Sequence, residues 1–446
     1  MTVLVVGAGM AGLAAAREVE DRGGQAIVVE VRDRVGGRVW TIREPFAGRQ
    51  HAEGGADLIE PDHDAVKAIA RRFSLELVPI LKNGFGYYGT DRHGRLRRQN
   101  LFGGFEAVDA DLGARIRDYL LADQRWDGPI ARDLASMSVA AWLGTLMHGR
   151  TAAEARYVLS RFRGFRGLFL ADPEELSLLA LVDFFASDPF SGDGDNVRVR
   201  GGNDQLATAL AASLGGRLLL GTAVRQITQD ASGIAATIES RRGRATLRAD
   251  RAIVTLPTPP LRAVTFDPPL PDRQRAAIDR LRMGPATRLL LQFDSRFWAR
   301  RKQPSLFGSD QPTGAVWDGN EEQRGRGGIL SLLSGGGGSA ELRAVVAADG
   351  PLGAVKRLGW LGRPGRLLAS HLIAWEEDPW AGGGYAFFDP AFDPALRDWL
   401  ARPFGRVHFA GEHTSFRWQG YINGAVESGQ RAAAEALLDR SVARRG

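Results

Sequence analysis

The sequence predicts an α/β protein that opens with a Rossmann-like, nucleotide-binding unit and continues into a second domain of mixed structure. Three observations carry this prediction. Residues 2–6 form an apolar, largely β-branched run, the glycines of Gly7-Ala8-Gly9-Met10-Ala11-Gly12 have the spacing Gly-x-Gly-x-x-Gly, and residues 11–18 are rich in strong helix formers. Together they give strand, turn and helix in the order that such a unit requires.

Each glycine of the turn has a separate task in a unit of this kind. Gly7 makes the tight turn, Gly9 lets the backbone approach a pyrophosphate, and Gly12 lets the helix pack on the strand. The free N–H groups at the start of the helix, at Met10 and Ala11, then face the phosphates. A second strand over residues 26–29 ends in Glu30, whose carboxylate can accept hydrogen bonds from a ribose.

Length and composition indicate a globular protein with more than one core. A chain of 446 residues exceeds the roughly 250–300 residues at which single cores stop growing, so we expect two domains. Contents of 44% apolar and 25% charged residues are ordinary for soluble proteins. No stretch approaches the roughly 18 apolar residues of a membrane span. With no signal peptide before the first strand, we expect a cytoplasmic protein.

Several kinds of chemistry are made improbable by the composition. Cysteine is absent, which removes disulfides, thiolate metal ligands and cysteine-linked cofactors. The seven histidines show no metal-ligand spacing, so no metal site is predicted. The net charge of +6 comes mostly from arginine in short runs without interleaved aromatic residues, which favours solvated faces over a nucleic-acid surface. The oligomeric state stays open, a homodimer included.

The rest of the chain divides into recognisable stretches. Helical periodicity marks residues 62–73 and, as a long insertion, residues 103–187, whereas apolar runs at 288–293 and 329–333 predict a second sheet. Between these lie a helix that Asn203 is expected to cap, strands over residues 223–227 and 251–256 that end at Pro257, and a flexible loop at Gly335–Gly338. Near the end, a strand at 406–412 leads to a helix from Ile422 to about Arg440 with a small-residue stripe of Ala425, Ser428, Gly429, Ala432 and Ala436.

Motifs from both ends and the middle of the chain point to one family. After Glu30 the chain reads VRDRVGGRVWT, and four further stretches agree with it: residues 52–57, 199–202, 409–413 and 418–429. This set resembles the flavin-containing amine oxidases, the family of monoamine, polyamine and L-amino-acid oxidases. The helical insertion and the loops of residues 300–365 carry no recognisable motif.

The resemblance implies the architecture and the cofactor. It implies a Rossmann-like FAD-binding domain built from residues 1–80, 196–284 and 402–446. A discontinuous substrate domain, a mixed sheet plus the helical insertion, would then comprise residues 81–195 and 285–401. Where some members carry a cysteine linked to the flavin, this chain has Gly384, so we expect FAD to be held without a covalent bond.

The resemblance also assigns cofactor contacts residue by residue. Arg32 and Arg38 can neutralise phosphates as bidentate donors, and Gly36 and Gly37 let the backbone pass close to the flavin. A helix that begins near Tyr421 would stabilise negative charge developing on the flavin. The full set expected to bind FAD is Gly7, Gly9, Met10, Ala11, Gly12, Glu30, Arg32, Gly36, Gly37, Arg38, Gly54, Gly55, Ala56, Val224, Gly411, Glu412, Gly420, Tyr421, Ile422 and Ala425.

On the substrate side, the resemblance implies an amine oxidation. Tyr385 and Tyr421, with Trp418, would form an aromatic cage for the substrate nitrogen. A neutral amine would give hydride from its α-carbon to the flavin N5, the imine would hydrolyse, and O₂ would reoxidise the flavin to give H₂O₂. Most members have a lysine that reaches the flavin through a water. Here Arg288 takes that position, which also allows a dehydrogenase with another acceptor.

Other functions remain open at this point. An L-amino-acid oxidase is the main alternative, since Arg161, Arg163 and Arg166 in the insertion could hold a carboxylate. The phenylalanines among them favour an apolar amine or simply form a core: Phe162, Phe165, Phe169, Phe184 and Phe185. A flavin desaturase shares the fold. A GTPase-escort relative without flavin is disfavoured by the intact Glu30, Arg38 and C-terminal glycines.

Overall fold

A computed structural model describes residues 1–91, 93–99, 106–187, 195–299 and 303–438. Its strands are β1 (Thr2–Val6), β2 (Gln25–Val29), β3 (Thr41–Ile42), β4 (Ala52–Glu53), β5 (Leu77–Ile80), β6 (Phe85–Thr90), β7 (Leu96–Gln99), β8 (Asn196–Val199), β9 (Arg217–Leu219), β10 (Thr222–Gln229), β11 (Ile234–Ser240), β12 (Gly243–Ala249), β13 (Arg251–Val254), β14 (Thr265–Asp267), β15 (Arg282–Met283), β16 (Ala286–Phe293), β17 (Leu306–Ser309), β18 (Ala315–Asp318), β19 (Gly328–Gly335), β20 (Leu367–Ala374), β21 (Ala386–Phe387) and β22 (Val407–Phe409).

The α-helices follow the predicted pattern of a long helical stretch between two groups of strands. They are α1 (Met10–Asp21), α2 (Asp64–Arg72), α3 (Glu106–Leu121), α4 (Pro129–Ala135), α5 (Val139–Leu146), α6 (Ala152–Arg163), α7 (Arg166–Phe169), α8 (Leu178–Ala186), α9 (Asp204–Ala212), α10 (Thr258–Leu261), α11 (Asp272–Arg280), α12 (Gly337–Asp349), α13 (Pro351–Lys356) and α14 (Ile422–Leu438). Arg440, the expected end of the last helix, lies outside the described residues. No helix in the described ranges is both long and apolar enough to cross a membrane.

The opening strand β1 lies at the centre of a five-stranded parallel sheet in the order β22-β13-β1-β2-β9. Because strand side chains alternate, Val3 and Val5 pack under α1, α9 and α14 on one face. Leu4 and Val6 pack on the other face against the sheet of β12, β11, β10 and β14. Burial on both faces explains why β1 reads as a continuous apolar run.

The C-terminal helix α14 packs closely on α1, as the small-residue stripe predicts. A Cβ atom on Gly429 would lie 2.1 Å from the carbonyl oxygen of Ala11, so any larger side chain would separate the two helices. Ala432 and Ala436 lie in the same core. Close packing places the start of α14 next to the glycine turn, which brings the two ends of the chain together.

A second, seven-stranded sheet has the order β20-β16-β19-β18-β17-β6-β7. All its strands come from residues 81–195 and 285–401, whereas the parallel sheet draws on 1–80, 196–284 and 402–446. In β16, Leu289 and Leu291 pack with α12 and α13, so the alternate residues Ala286, Arg288 and Leu290 face the opposite side. Helices α3–α8 form a separate core around Trp142 and Tyr119.

Two local expectations differ from the structure. Gly335–Gly338 is not a flexible loop, since β19 ends at Gly335 and α12 begins at Gly337. A Cβ on Gly335 would be 2.7 Å from Leu170 Cδ2, and a Cβ on Gly336 or Gly337 would meet Asp172, so side chains have little room there. Asn203 precedes α9, but its side chain accepts from Val199 N and donates to Asp57 O instead of capping the helix. The prolines after Pro257 begin the one-turn helix α10.

Candidate active site

A cavity of about 480 Å³ lies at the carboxyl ends of the parallel strands, between the two sheets and the helical insertion. This is where open α/β sheets bind their ligands. Of the residues expected to bind cofactor, the following line the cavity: Gly7, Gly9, Met10, Ala11, Glu30, Arg32, Gly36, Gly37, Arg38, Gly55, Ala56, Val224, Gly411, Glu412, Gly420, Tyr421, Ile422 and Ala425.

Gly12 and Gly54 lie outside the cavity lining and have packing roles. A Cβ on Gly12 would be 1.9 Å from the carbonyl oxygen of Gly7, so this glycine lets α1 approach the turn. Gly54 faces Ile373 and Ile42, and its carbonyl accepts from the Trp375 indole at 3.0 Å. Its neighbour Gly55 does line the cavity.

The first turn of α1 is built to receive an anion. Gly9 is its N-cap, no side chain caps the helix, and no acidic residue lies in the first turn. The N–H groups of Met10 and Ala11 therefore point at the cavity with the positive end of the helix dipole. Apart from Gly9 and its chain neighbours, no atom of the described residues lies within 4 Å of where a Cβ on Gly9 would be, so this side of the turn is open to a ligand.

Glu30 is held rigidly at the end of β2. One carboxylate oxygen accepts from Ala8 N at 2.8 Å and the other from Arg32 N at 2.9 Å. The residue is 4% exposed and lines the cavity. Each oxygen keeps a further lone pair for a hydroxyl donor, as a ribose would supply.

Two arginines of the VRDRVGGR stretch are held by acids from the far end of the chain. Arg32 donates to Asp378 at 2.7 Å. Nη1 of Arg38 lies 3.0 Å from Oε1 of Glu412 and 2.5 Å from the Gly384 carbonyl. The second Glu412 oxygen accepts from Gly420 N at 2.9 Å, which fixes the turn before α14.

The remaining expected cofactor contacts lie at a β-bulge and at the start of a helix. The ladder between β10 and β11 has a bulge between Val224 and Gln226, where Val224 meets the cavity. Tyr421 immediately precedes α14, and Ile422 and Ala425 are in its first turn. The N-terminal end of this helix therefore points at the cavity, where it favours negative charge.

Arg288, the residue in place of the family's lysine, is buried and fixed. Its guanidinium donates to Ser331 Oγ at 2.9 Å and to Gly55 O at 2.8 Å, and lies 3.6 Å from Asp57. It also stacks over the Trp317 ring at 4.5 Å. Burial lowers the pKa of Arg288 and the carboxylate of Asp57 opposes this. The guanidinium is thus a fixed donor on the cavity wall.

The aromatic residues expected at the substrate amine all line the cavity. Tyr385 packs on Gly420, and its hydroxyl donates to the Gly167 and Leu168 carbonyls at 2.9 and 3.0 Å. The rings of Trp418 and Tyr421 meet edge to face at 5.9 Å. Burial, with Glu60 beside it, raises the pKa of Tyr421 well above its ordinary value, so its hydroxyl stays protonated.

Sequence analysis missed a group beside this aromatic pair. The side chains of Glu60, Asp62 and His63 bring a carboxylate oxygen each and a ring nitrogen within 4.8 Å of one another. His63 is fully buried, 5.0 Å from the Trp418 ring and 5.1 Å from that of Tyr421. No motif marks these residues as a site, and only the fold brings them together.

The tautomer of His63 disfavours a metal ion in this group. Glu60 N donates to its Nδ1 at 3.0 Å, so in the neutral ring Nε2 carries the proton and has no lone pair for a metal. Burial and the charge of Lys67 lower the pKa of His63 to about 4, so the ring is neutral at physiological pH. Nε2 lies 4.0 Å from Glu60 Oε2.

The helical insertion contributes apolar side chains to the cavity and keeps its arginines outside it. Of the five phenylalanines, Phe169 and Phe184 line the cavity. Neither Arg161, Arg163 nor Arg166 does; Arg163 pairs with Glu174 and Arg166 with Asp172. The expectation that these arginines hold a substrate carboxylate is therefore not supported, because acids of their own domain neutralise two of them.

Gly384 lies where a side chain has no room. A Cβ at this position would be 2.5 Å from Leu170 Cδ1 and 2.8 Å from Ala286 Cβ. Leu170 itself is fully buried in a left-handed backbone conformation, with φ of 52°. The packing around position 384 therefore requires glycine. Glycine also provides no side chain that could bond a cofactor covalently.

Comparisons with known proteins give a consistent result. Residues 10–437 match the model of the family described as flavin containing amine oxidoreductase. The chain is 30% identical to AofH of Mycobacterium tuberculosis, described as a candidate flavin-containing monoamine oxidase, over 98% of this chain and 97% of that protein. It is 26% identical to an L-amino acid dehydrogenase of Synechocystis over 98% and 94% of the two chains. The structure of cyclohexylamine oxidase from Brevibacterium oxydans superposes with a TM-score of 0.84 at 26% identity, covering 99% of each chain.

Proposed function

Because the chain belongs to the flavin-containing amine oxidoreductase family and takes FAD as its cofactor, we propose that it oxidises the carbon–nitrogen bond of a small apolar amine. The product imine would hydrolyse to a carbonyl compound and ammonia or a smaller amine. O₂ is the proposed electron acceptor. One observation supports the choice of an amine above the others: the charged residues around the substrate end of the cavity are mainly acidic.

The residues present fit FAD. The uncapped start of α1 at Gly9, Met10 and Ala11 would hold the pyrophosphate, and Glu30 the adenosine ribose. Arg38 would face the phosphates with its charge partly balanced by Glu412. Because a Cβ at Gly384 has no room, we propose that FAD is held by these contacts without a covalent bond.

When bound, FAD accepts a hydride from the α-carbon of the amine. The chain's own residues orient the amine and exclude water. Tyr385 is fixed by the Gly167 and Leu168 carbonyls, and Tyr421 by its contacts with His63 and Trp418, so both rings are rigid walls. Rigid walls lower the entropic cost of placing the α-carbon in reach of the flavin. We propose that these two rings form the aromatic cage.

The charges of the lining distinguish amines from amino acids. Loop residues Glu60 and Asp62 and the insertion residue Asp183 are acids that line the cavity, together with Phe169, Phe184 and Trp126. Arg417 lies 3.9 Å from Asp62 and is 72% exposed. The buried Arg397 lies 5.3 Å from the Trp126 ring, and its charge acts on Asp183. Acids attract a cationic amine and repel the carboxylate of an amino acid. This distribution supports an amine oxidase over an L-amino-acid oxidase.

A substrate panel under anaerobic conditions tests the proposal. Purified FAD-loaded protein is mixed with benzylamine, phenylethylamine, cyclohexylamine and putrescine, and separately with L-phenylalanine, L-leucine and L-lysine. We expect one or more amines to bleach the flavin absorbance and to yield the carbonyl product on turnover. Bleaching by the amino acids alone would overturn the proposal in favour of an amino-acid oxidoreductase.

A different electron acceptor is the second candidate, and Arg288 is the observation that favours it. A lysine ammonium can hold a water against the flavin, but the Arg288 guanidinium is already committed to Ser331, Gly55 and the Trp317 ring. If oxygen reacts slowly for this reason, the enzyme would be an amine dehydrogenase that passes electrons to a quinone or a redox protein.

A further inference from the structure

Glu60 is a carboxylate at the substrate cavity with no cationic partner among the described residues. It lies on the loop between β4 and α2, it lines the cavity, and its side chain is 21% exposed. The hydroxyl of Tyr421 lies beside it, within reach of a hydrogen bond. A carboxylate in this position faces the place that the proposed function gives to the substrate nitrogen.

Among the groups around Glu60, only the charge of Asp62 adds to burial in raising its proton affinity. Asp62 lies on the same loop, neutral His63 and Lys67 on α2 or its start, and Tyr421 and Arg417 on the segment before α14. Lys67 donates to the Pro61 carbonyl at 2.5 Å, and Arg417 is directed at Asp62. Burial and the charge of Asp62 raise the pKa of Glu60 to about 7.

In an amine oxidation, the substrate ammonium must lose a proton before its α-carbon is oxidised. Alkylamines are ammonium ions at neutral pH, since their pKa values are near that of lysine, about 10.4. An ammonium nitrogen has no lone pair to stabilise the developing imine, so one N–H proton must leave first. A group with a pKa close to the working pH accepts such a proton best.

We propose that Glu60 takes up the proton that the substrate ammonium loses and that the Tyr421 hydroxyl passes this proton to it. An N–H bond of the ammonium breaks as its proton bonds to the Tyr421 oxygen. The O–H bond of Tyr421 breaks as that proton bonds to the Glu60 carboxylate. The amine and the carboxyl end neutral, Tyr421 is unchanged, and no electrons are exchanged. This inference rests on the proposed amine oxidation.

The fixed surroundings support this pathway. His63 is neutral, and its Nε2 lies 4.0 Å from the Glu60 carboxylate, so it does not compete with Glu60 as a base. Its ring holds that of Tyr421 edge to face, which keeps the hydroxyl directed at Glu60. Tyr421, which lines the cavity, therefore holds its hydroxyl in a single orientation that can connect the substrate to the Glu60 carboxylate.

The test is the pH dependence of flavin reduction in stopped-flow experiments without oxygen, on the FAD-loaded protein. The substrate is benzylamine, or the panel amine that reduces the flavin fastest if benzylamine does not. For the wild type we expect the rate constant to fall about tenfold per pH unit below a midpoint near 7, where Glu60 becomes protonated. In Glu60→Gln we expect this limb to vanish and the plateau to fall on the order of 10²-fold.

Three further variants and one control separate proton uptake from a structural effect. Glu60→Asp should restore the limb, and Tyr421→Phe should lower the plateau as Glu60→Gln does. Asp62→Asn removes the charge that raises the Glu60 pKa, so it should move the midpoint to lower pH. Glu76→Gln removes an exposed acid paired with Arg200 and should leave the profile unchanged. Persistence of the wild-type limb in Glu60→Gln would overturn the inference.

A second readout does not depend on turnover. tert-Butylamine has no hydrogen on its α-carbon, so it binds without being oxidised. Calorimetry in buffers of different ionisation enthalpy at pH ~8 should show almost no net proton release for the wild type, because Glu60 keeps the proton, and about one proton in Glu60→Gln. Equal release in both would contradict the inference. If no amine reduces the wild-type flavin at any pH, the proposed function itself fails.

Discussion

Nη1 of Arg38 lies 3.0 Å from Oε1 of Glu412, which follows it by 374 positions in the chain. Arg38 belongs to the motif after the first βαβ unit and Glu412 to the turn before α14. Through this pair, and through Gly420 N on the other Glu412 oxygen, the two ends of the chain form one wall of the cavity. The closure of the fold and the shape of the cavity wall therefore depend on the same carboxylate.

Glu412→Gln should weaken both the folded state and the binding of FAD. The amide oxygen can still accept from Gly420, but the charge that balances Arg38 is lost. We expect the free energy of unfolding of the FAD-free protein to fall by about 2 kcal/mol, less than the ~3–5 kcal/mol of fully buried pairs because Arg38 is partly exposed. FAD affinity, measured by fluorescence titration, should also fall. Glu76→Gln, at an exposed pair, is the control and should change neither quantity.

Substitutions at two glycines of the opening turn should separate folding from cofactor binding. Gly9 has φ −73° and ψ 178°, which alanine adopts freely, and no protein atom lies near its Cβ position. Gly9→Ala should therefore melt like the wild type when FAD-free but bind FAD at least about tenfold more weakly. Gly12→Ala should lower the FAD-free stability by about 3 kcal/mol, because its Cβ would meet the Gly7 carbonyl at 1.9 Å. Equal FAD affinities for Gly9→Ala and wild type would contradict a pyrophosphate at this turn.

The mode of flavin attachment can be read from colour. Acid precipitation of the purified protein should release all yellow colour into the supernatant, because Gly384 carries no side chain to bond the flavin. Installing a cysteine by Gly384→Cys should lower stability by about 1–3 kcal/mol, since its Cβ would be 2.5 Å from Leu170. Colour that stays with the wild-type pellet would show a covalent link elsewhere.

Arg288→Lys tests the electron acceptor. Lysine keeps the positive charge next to Asp57 but gives up the bidentate hold on Ser331 and Gly55, which leaves room for a water. We expect reoxidation of the reduced flavin by air to become about tenfold faster, or about 1.4 kcal/mol in activation free energy. Stopped-flow absorbance after anaerobic reduction measures it. An unchanged or slower reoxidation would show that Arg288 does not restrict the reaction with oxygen.

Local motifs mark residues that line the cavity near the start of α1, but they do not mark the group beside Tyr421. The Gly7–Gly12 turn, Glu30 and Arg38 were identifiable because their task depends on backbone geometry within a few residues. Glu60 and His63 were not, since their roles depend on Tyr421 and Trp418, more than half the chain away in sequence. The left-handed conformation of Leu170 and its close contacts with Gly284 and Gly335 likewise form only when separate elements pack together.

Arg288 lies between these two cases. Alternation along β16 places it opposite the α12 face once the sheet is known, and the family resemblance marks its position. Its fixed hydrogen bonds were not predictable, because Ser331 comes from β19 and Gly55 from the loop after β4. Arg161, Arg163 and Arg166 show the opposite case, in which charges that looked free in the sequence include two that pair with acids a few residues away.

Burial of Glu53 should make stability depend on pH in an identifiable window. Its carboxyl is 1% exposed, and burial, with Asp57 nearby, raises its pKa from 4.5 to about 8. In that range the folded state holds a proton that the unfolded state releases, so the free energy of unfolding falls as pH rises, by up to ~1.4 kcal/mol per unit. His63 and His413, with pKa values lowered to about 4, act with the opposite sign but only below their ordinary value of 6.5.

Glu53→Gln isolates this effect between pH ~7 and ~8, because Glu60, with its pKa of about 7, contributes equally to the wild type and the variant. An amide oxygen in the place of Oε1 can still accept from Asn203 N at 2.9 Å and from the Thr41 hydroxyl at 3.1 Å, so the fold should persist. Urea unfolding at the two pH values should show stability falling with pH in the wild type and staying flatter in the variant. Glu76→Gln should follow the wild type. Parallel losses in wild type and Glu53→Gln would mean that Glu53 is ionised in the folded protein, with Arg198 rather than a proton balancing its charge.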